Sequence, residues 1–261
     1  MARSRLDNAM LIQGLVETRS KARALIMAGA VLVNGRIDSH AGSLVDQADE
    51  IELRAKPRFV SRGGDKLAHA LERFGLSPAG LVCADLGAST GGFTDCLLQA
   101  GATRVYAVDV GYGQLDLRLR EDPRVVNIER TNARYLESLP ETVGLVVIDV
   151  SFISLSLILP VALRVLDPAA ACICLIKPQF EAGRRDVGKG GVVKNPDVHR
   201  RVLTEVLSFS AAIGFTAVGV TKSPLTGPAG NIEFLALLRR DPDAAAGDDG
   251  AAMTLQAMAE E

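Results

Sequence analysis

Apolar positions follow two patterns along the chain, and the change falls near residue 60. Before it, the apolar runs are short. Leu6, Met10 and Leu11 share one face of a helix expected over Arg5 to Gly14. Ser20 stands where it would cap a second helix, Lys21 to Ala28, which Gly29 would stop. Ala30 to Val33 has the pattern of a strand, Asn34-Gly35 that of a hairpin turn, and Ile51 to Leu53 that of a closing strand. Together they predict a small α+β unit.

From Gly63 the apolar runs lengthen. Leu67, Ala70, Leu71 and Phe74 make Asp65 to Phe74 an amphipathic helix. Continuous apolar strands then alternate with helical stretches: Val82 to Leu86, Val105 to Val108, Val125 to Ile128, Leu145 to Ile148 and Cys172 to Ile176. Strands without polar alternation are buried on both faces, so the pattern predicts an α/β unit around a parallel sheet. Asn195 to Ile213 is a longer helix, and Thr216 to Thr221 with Ile232 to Leu238 would finish the sheet as a hairpin. The expected division is 1–55 for the small unit, 56–62 for a charged linker, 63–240 for the large unit and 241–261 for a disordered acidic tail.

Charge sharpens this division. The net charge of −2 hides six acids and no Lys or Arg in residues 241–261, while the first 36 residues carry six basic groups against two acidic ones. A basic front suits an acidic partner such as nucleic acid, although a solvated helix face has the same composition. The longest apolar run, Ala169 to Ile176, is eight residues. A membrane-spanning helix needs roughly 20. Neither a span nor a secretory leader is expected, and four cysteines without framework spacing suit a reducing cytoplasm. Cys172 and Cys174 fall inside a strand as core thiols, Cys83 and Cys96 lack a partner at metal spacing, and the three histidines are scattered. No metal is expected.

The candidate chemistry lies at strand ends. In Asp85-Leu-Gly-Ala-Ser-Thr-Gly-Gly-Phe-Thr-Asp95 a strand turns through Gly87, Gly91 and Gly92 into a helix whose free N–H groups face the loop. Ser89 stands where the dinucleotide pattern G-x-G-x-x-G has its second glycine, and no Gly-Lys-Ser/Thr closes a P-loop. Asp85 in the strand suits a cationic group, and Asp109, ending the next strand, suits a ribose diol. Together they fit S-adenosylmethionine, although a structural turn would leave the same trace. Asp149 and Lys177 end two further strands, so they would reach the same sheet edge and pair if sheltered. Lys66 and Glu233, taken alone, have the pattern of surface charges.

These motifs resemble the TlyA family, bacterial ribosomal RNA 2′-O-methyltransferases historically also labelled hemolysins. The resemblance rests on Arg5-Leu-Asp, Ser20-Lys-Ala-Arg, Val31-Leu-Val-Asn-Gly, Ser61-Arg-Gly-Gly-Asp-Lys66-Leu, the glycine loop, Asp149-Val-Ser-Phe-Ile-Ser154, Lys177-Pro-Gln-Phe-Glu181, Gly190-Gly-Val-Val-Lys194 and Gly230-Asn-Ile-Glu233. It runs from about Arg3 to Leu238. It implies an S4-like RNA-binding domain followed by an FtsJ-like, Rossmann-like class I methyltransferase domain. It also implies a Lys-Asp-Lys-Glu tetrad, which falls on Lys66, Asp149, Lys177 and Glu233. Gly87, Ser89, Thr90, Gly91, Gly92 and Phe93 would line the methionine end of S-adenosylmethionine, Asp109 would hold its ribose and Asn132 would lie near its adenine. The substrate implied is cytidine in the RNA of ribosomal subunits. The chain departs from some relatives in lacking any Trp in the linker, where Phe59 is the substitute.

Lys177 is then the group expected at the 2′-oxygen, with Asp149 orienting it and Glu233 and Lys66 completing the network. Arg3, Arg5, Arg19, Lys21 and Arg23 would bind RNA phosphates. Arg184, Arg185, Lys189 and Lys194, in a polar loop expected over the site, would either grip phosphates or be solvated. Two rival classes are a membrane-active hemolysin, which needs a long apolar or strongly amphipathic basic helix, and an RNA-binding module with an inactive enzyme domain.

Overall fold

The computed structural model describes residues 3–27, 29–53, 57–240 and 257. Most of the expected tail, 241–261, therefore lies outside the described residues; Ala257 within it is buried against the apolar core. Two compact units divide between Pro57 and Arg58.

The first unit runs β1 (Ser4–Arg5), α1 (Leu6–Ile12), α2 (Arg19–Met27), β2 (Val31–Val33), β3 (Arg36–Ile37), β4 (Leu44–Val45) and β5 (Ile51–Leu53). β1 pairs with β4, and β3, β2 and β5 form a three-stranded antiparallel sheet. Leu6, Met10, Ala22, Ile26, Val31 and Val45 fill its core. Leu11, expected on the inward face of α1, is exposed. Asn34 and Gly35 both adopt left-handed backbone, φ 51° and 74°, as the two-residue hairpin turn requires. Thr18, not Ser20, caps α2: its hydroxyl accepts from the Lys21 N–H at 3.2 Å, and Ser20 lies within the helix.

The second unit holds α3 (Arg62–Arg73), β6 (Val82–Leu86), α4 (Gly92–Gln99), β7 (Arg104–Val108), α5 (Leu117–Arg120), β8 (Val125–Ile128) and β9 (Val143–Ile148). It continues with α6 (Leu159–Val165), β10 (Leu166–Ile176), α7 (Pro178–Glu181), α8 (Pro196–Ala212), β11 (Phe215–Lys222) and β12 (Phe234–Arg240). The sheet order is β11-β12-β10-β9-β6-β7-β8. Neighbours are parallel from β10 to β8, and β12 runs antiparallel between β10 and β11. The hairpin expected at the end of the chain is this edge.

Both sheet faces are covered, which is why the strands carry no polar alternation. Leu67, Ala70, Phe93 and Leu97 of α3 and α4 pack on Cys83, Val105, Leu145 and Ile173. Leu159, Ala162, Val202 and Leu203 of α6 and α8 pack on Leu86, Val108, Ile148 and Cys174. All four cysteines are buried and unbridged, and burial pushes the Cys83, Cys96 and Cys174 thiols up to about 12.

Of the expected linker, 56–62, Lys56 lies outside the described residues, and residues 58–62 differ from a linker. Phe59 is buried against Gly64, where an added Cβ would strike its ring, and the Val60 N–H donates to Asp95 at 2.8 Å. Ser61 caps α3, its hydroxyl accepting from the Gly63 N–H at 3.3 Å. Residues 58–62 therefore belong to the second unit, and Phe59 is part of its core.

Candidate active site

Register brings the charged residues together. Leu86 pairs with Val108 on one side and Ile148 on the other, Ile148 with Cys174, and Ile176 with Phe234. The residues just beyond these ends, Gly87, Asp109, Asp149 and Lys177, emerge on the carboxyl edge of the parallel strands, where α/β sheets bind ligands. Glu233 precedes a strand that runs the opposite way, so its amino end reaches the same edge. Lys66, in the second turn of α3, arrives from the face of the sheet.

Two ion pairs result. Lys66 Nζ donates to Glu233 Oε2, with both side chains buried. Lys177 Nζ lies 2.6 Å from Asp149 Oδ1, an ion pair outside aligned hydrogen-bond geometry, and donates to Ser151 Oγ at 2.9 Å. Gln179 Nε2 donates to the other Glu233 oxygen at 3.3 Å. Sheltered charges of either sign cost several kcal/mol when alone, so two acids facing two bases is the arrangement burial tolerates.

The glycine loop is set by close approach. Gly87, at φ 91°, passes so near Asp149 that an added Cβ would meet its carbonyl oxygen at 2.6 Å. Gly92 faces Ser61 at the start of α3 with no room for a Cβ. Ser89 holds left-handed backbone, φ 50°, and its N–H donates to Asp109 Oδ2 at 2.8 Å. The Gly111 N–H donates to Asp109 Oδ1 at 2.6 Å. Asp109 thus fixes the loops on both sides of its own strand end.

A cavity of about 280 Å³ is lined by Gly87, Ser89, Thr90, Gly92, Phe93 and the four charged residues. A second, about 760 Å³, is lined by Asp109, Asn132, Val108, Ile153 and Ile158 and shares Gly87, Ser89, Asp149 and Ser151 with the first. Asn132 is exposed there, its side-chain oxygen accepting from the Arg134 N–H at 3.0 Å. Two of the expected cofactor residues stand behind this lining. Gly91 starts α4 at φ 95°, where a Cβ would strike Leu119. Asp85 is fully buried; Thr94 Oγ1 donates to its Oδ2 at 2.7 Å, and its Oδ1 has no partner among the described residues. Burial, then the Asp149 and Asp109 charges, push the Asp85 carboxyl up to about 7, against the Thr94 hydrogen bond.

Several site residues carried no sequence signal of their own. Glu181 ties two loops together: Ser154 Oγ donates to it at 2.7 Å and the Leu155 N–H at 2.8 Å. Phe152 is 89% exposed at left-handed φ 64°, its ring 4.8 Å from that of Phe180. Ser61 lines the smaller cavity. Arg184, Arg185, Lys189 and Lys194 are exposed and line neither cavity. Among the described residues no group of three metal-ligating side chains forms, and no helix is long and apolar enough to cross a membrane.

In the first unit the expected RNA-binding residues are bound to acids. Arg5, Arg19 and Arg23 converge on buried Asp7, with Nε–O distances of 3.1, 3.0 and 3.0 Å. Arg3 lies 3.4 Å from Asp46, and Lys21 lies 3.7 Å from Glu17. The Arg5 hydrogen bond, against burial, then Arg19 and Arg23, hold the Asp7 carboxyl well below the usual carboxylate range.

The sheet order, with one antiparallel hairpin at its edge, and the glycine loop facing a strand-end acid define an α/β fold of the methyltransferase class. The chain belongs to the FtsJ-like methyltransferase family, whose model matches residues 59–240, and an S4 domain matches residues 4–51. It is 51% identical to a protein of Bacillus subtilis named as a candidate rRNA methyltransferase, YqxC, over 89% of this chain and 84% of that one. It is 44% identical to the 16S/23S rRNA (cytidine-2′-O)-methyltransferase TlyA of Mycobacterium tuberculosis, over 93% and 92%. A solved structure described as a candidate hemolysin from Streptococcus thermophilus superposes with a TM-score of 0.75 at 43% identity, covering 98% of this chain and 96% of that one.

Proposed function

We propose that the protein transfers the methyl group of S-adenosylmethionine to a ribose 2′-hydroxyl, of a cytidine, in ribosomal RNA. The observation that carries this reading is the placement of Lys66–Glu233 and Lys177–Asp149 at one sheet edge, beside a glycine loop and an open cavity. The relatives named for this reaction support it. Ribosomal RNA as substrate implies a cytoplasmic location.

The residues fit the cofactor. Asp109 offers carboxylate oxygens for ribose hydroxyls, Val108, Ile153 and Ile158 an apolar wall for adenine, and Asn132 a side-chain amide N–H at that end. The N-terminus of α4 and the Gly87–Gly92 loop suit the methionine carboxylate. Bound there, the cofactor supplies an electrophilic methyl on a sulfonium.

A ribose hydroxyl is a poor nucleophile at neutral pH, so the site must orient it and manage its proton. Lys177 Nζ, held by Asp149 and Ser151, is the group at the cavity wall able to hydrogen-bond the 2′-oxygen and stabilise charge as it develops. Glu233 and Lys66 hold each other and line the same cavity. Alignment alone is worth roughly 7–11 kcal/mol in well-oriented systems. The exposed ring of Phe152 offers a face to a base turned out of its stack. The arginines around Asp7 offer the phosphate-binding charge.

The test is transfer of labelled methyl from S-adenosylmethionine to ribosomal subunits and to naked ribosomal RNA, with Lys177→Ala alongside. The proposal requires label in RNA, protection of one phosphodiester from alkali, and loss of both with Lys177→Ala. Absence of label on every RNA form, with the cofactor bound, would reject it.

A further inference from the structure

The loop that follows β9 carries two serines that do different work. Ser154 serves the loop's own structure: its hydroxyl accepts from the Ser156 N–H at 3.2 Å and donates to Glu181 at 2.7 Å. Ser151 serves nothing in the loop. Among the described residues its hydroxyl has one partner, Lys177 Nζ at 2.9 Å. It is also one of four residues that line both cavities. The loop is pinned at both ends, by the Asp149 N–H donating to Leu86 at 3.1 Å and by the Glu181 clamp. Between them, the left-handed backbone of Phe152 sets the turn just after Ser151. Backbone strain at such a place is kept where the surrounding structure enforces it.

An ammonium has three donors arranged tetrahedrally. With Asp149 as sole partner, Lys177 Nζ could rotate about the ion-pair axis, and its remaining donors would sweep a cone. A second fixed acceptor stops that rotation and leaves one direction, into the cavity. We infer that Ser151 is a positioning residue for the methyl-transfer reaction: it orients the Lys177 amino group toward the nucleophilic oxygen. This rests on the function proposed above. The hydroxyl accepts from Nζ and keeps its own O–H for an acceptor at the junction of the two cavities.

The experiment compares Ser151→Ala, Ser151→Thr and the unaltered protein in single-turnover methyl transfer to ribosomal RNA across RNA concentrations, with cofactor affinity by calorimetry. Ser151→Ala is expected to lower the transfer rate roughly 10- to 100-fold, the scale on which misplacement of a reacting group acts. RNA half-saturation and cofactor Kd stay within about threefold, because orientation is spent in the transition state. Ser151→Thr, which keeps the oxygen, restores the rate. Ribose methylation by the unaltered protein together with a full rate in Ser151→Ala overturns this inference and leaves the proposed function standing. So does a Ser151→Ala variant whose loss is confined to cofactor Kd, which would make Ser151 a cofactor ligand. Absence of transfer by the unaltered protein overturns both.

Discussion

The molecule handles buried charge in two contrasting ways. In the first unit one carboxylate, Asp7, gathers three arginines whose side chains are about half exposed. In the second, two acids meet two lysines one to one, and three of the four side chains are at most 11% exposed. The unequal cluster leaves a net positive face on a fixed frame, which suits a polyanion of any sequence. The matched pairs leave no net charge, so the burial that excludes water is tolerated and small displacements still change chemistry. Under the proposed function, binding charge is displayed and reactive charge is balanced.

The largest expected effect tests the matched side. Lys177→Ala should lower methyl transfer by about 10²–10⁴-fold, the range for a positioned acid–base group, with cofactor affinity by calorimetry almost unchanged. Next is Glu233→Ala, which strands Lys66 in a buried site. Breaking such a pair costs about 3–5 kcal/mol, to be read as a lower urea midpoint, and Lys66→Met with Glu233→Leu should recover much of it without recovering activity.

The displayed side is tested by Asp7→Asn. This change adds net positive charge, so charge count alone predicts tighter RNA binding. Fixed arginine geometry predicts the reverse, a loss of roughly tenfold for ribosomal RNA at constant salt, given one or two phosphate contacts misplaced. Filter binding at two salt concentrations decides. The depressed Asp7 carboxyl also sets a sign. Its stabilisation is full above the unfolded value, about pH 4, and is lost as pH falls through the folded value. Asp7→Asn should flatten acid unfolding of the first unit, followed by fluorescence of a probe placed there.

Asp85 gives an effect of opposite sign. Its folded-state ionisation is raised to about 7. The folded state therefore holds a proton that the unfolded state has released, and stability falls as pH rises from about 4 toward 7. Asp85→Asn should remove that slope in denaturant titrations at pH 5 and 8. An unchanged slope would contradict the burial of an unpaired Asp85 oxygen.

The same contrast shows what the sequence could tell. Local signals carried the elements: continuous apolar strands, Asn34-Gly35, and the apolar face of Asp65 to Phe74, although not the Ser61 cap that starts that helix. Strand-end position carried Asp109, Asp149 and Lys177, because register in a parallel sheet brings carboxyl ends together. Lys66 and Glu233 had no such signal. Lys66 sits in a helix, and Glu233 is placed only by a strand running backwards, so resemblance to a family identified them and spacing did not. Ser151 and Glu181 meet partners 26 or 27 residues away, and Asp7 meets Arg19 and Arg23 besides its neighbour Arg5, across loops whose folding no local pattern specifies. Asp85 and Gly91 belong to the glycine motif yet face the core, because a motif's residues serve packing as well as ligand.

The most direct measurement is nucleoside mass spectrometry of ribosomal RNA after incubation with the protein and S-adenosylmethionine. A ribose 2′-O-methyltransferase yields one new species, cytidine carrying its methyl on the 2′-oxygen, absent with Lys177→Ala. A methyl on a base instead of ribose, or the same product from Lys177→Ala, would contradict the claim that two matched ion pairs at the sheet edge form a ribose 2′-O-methylation site.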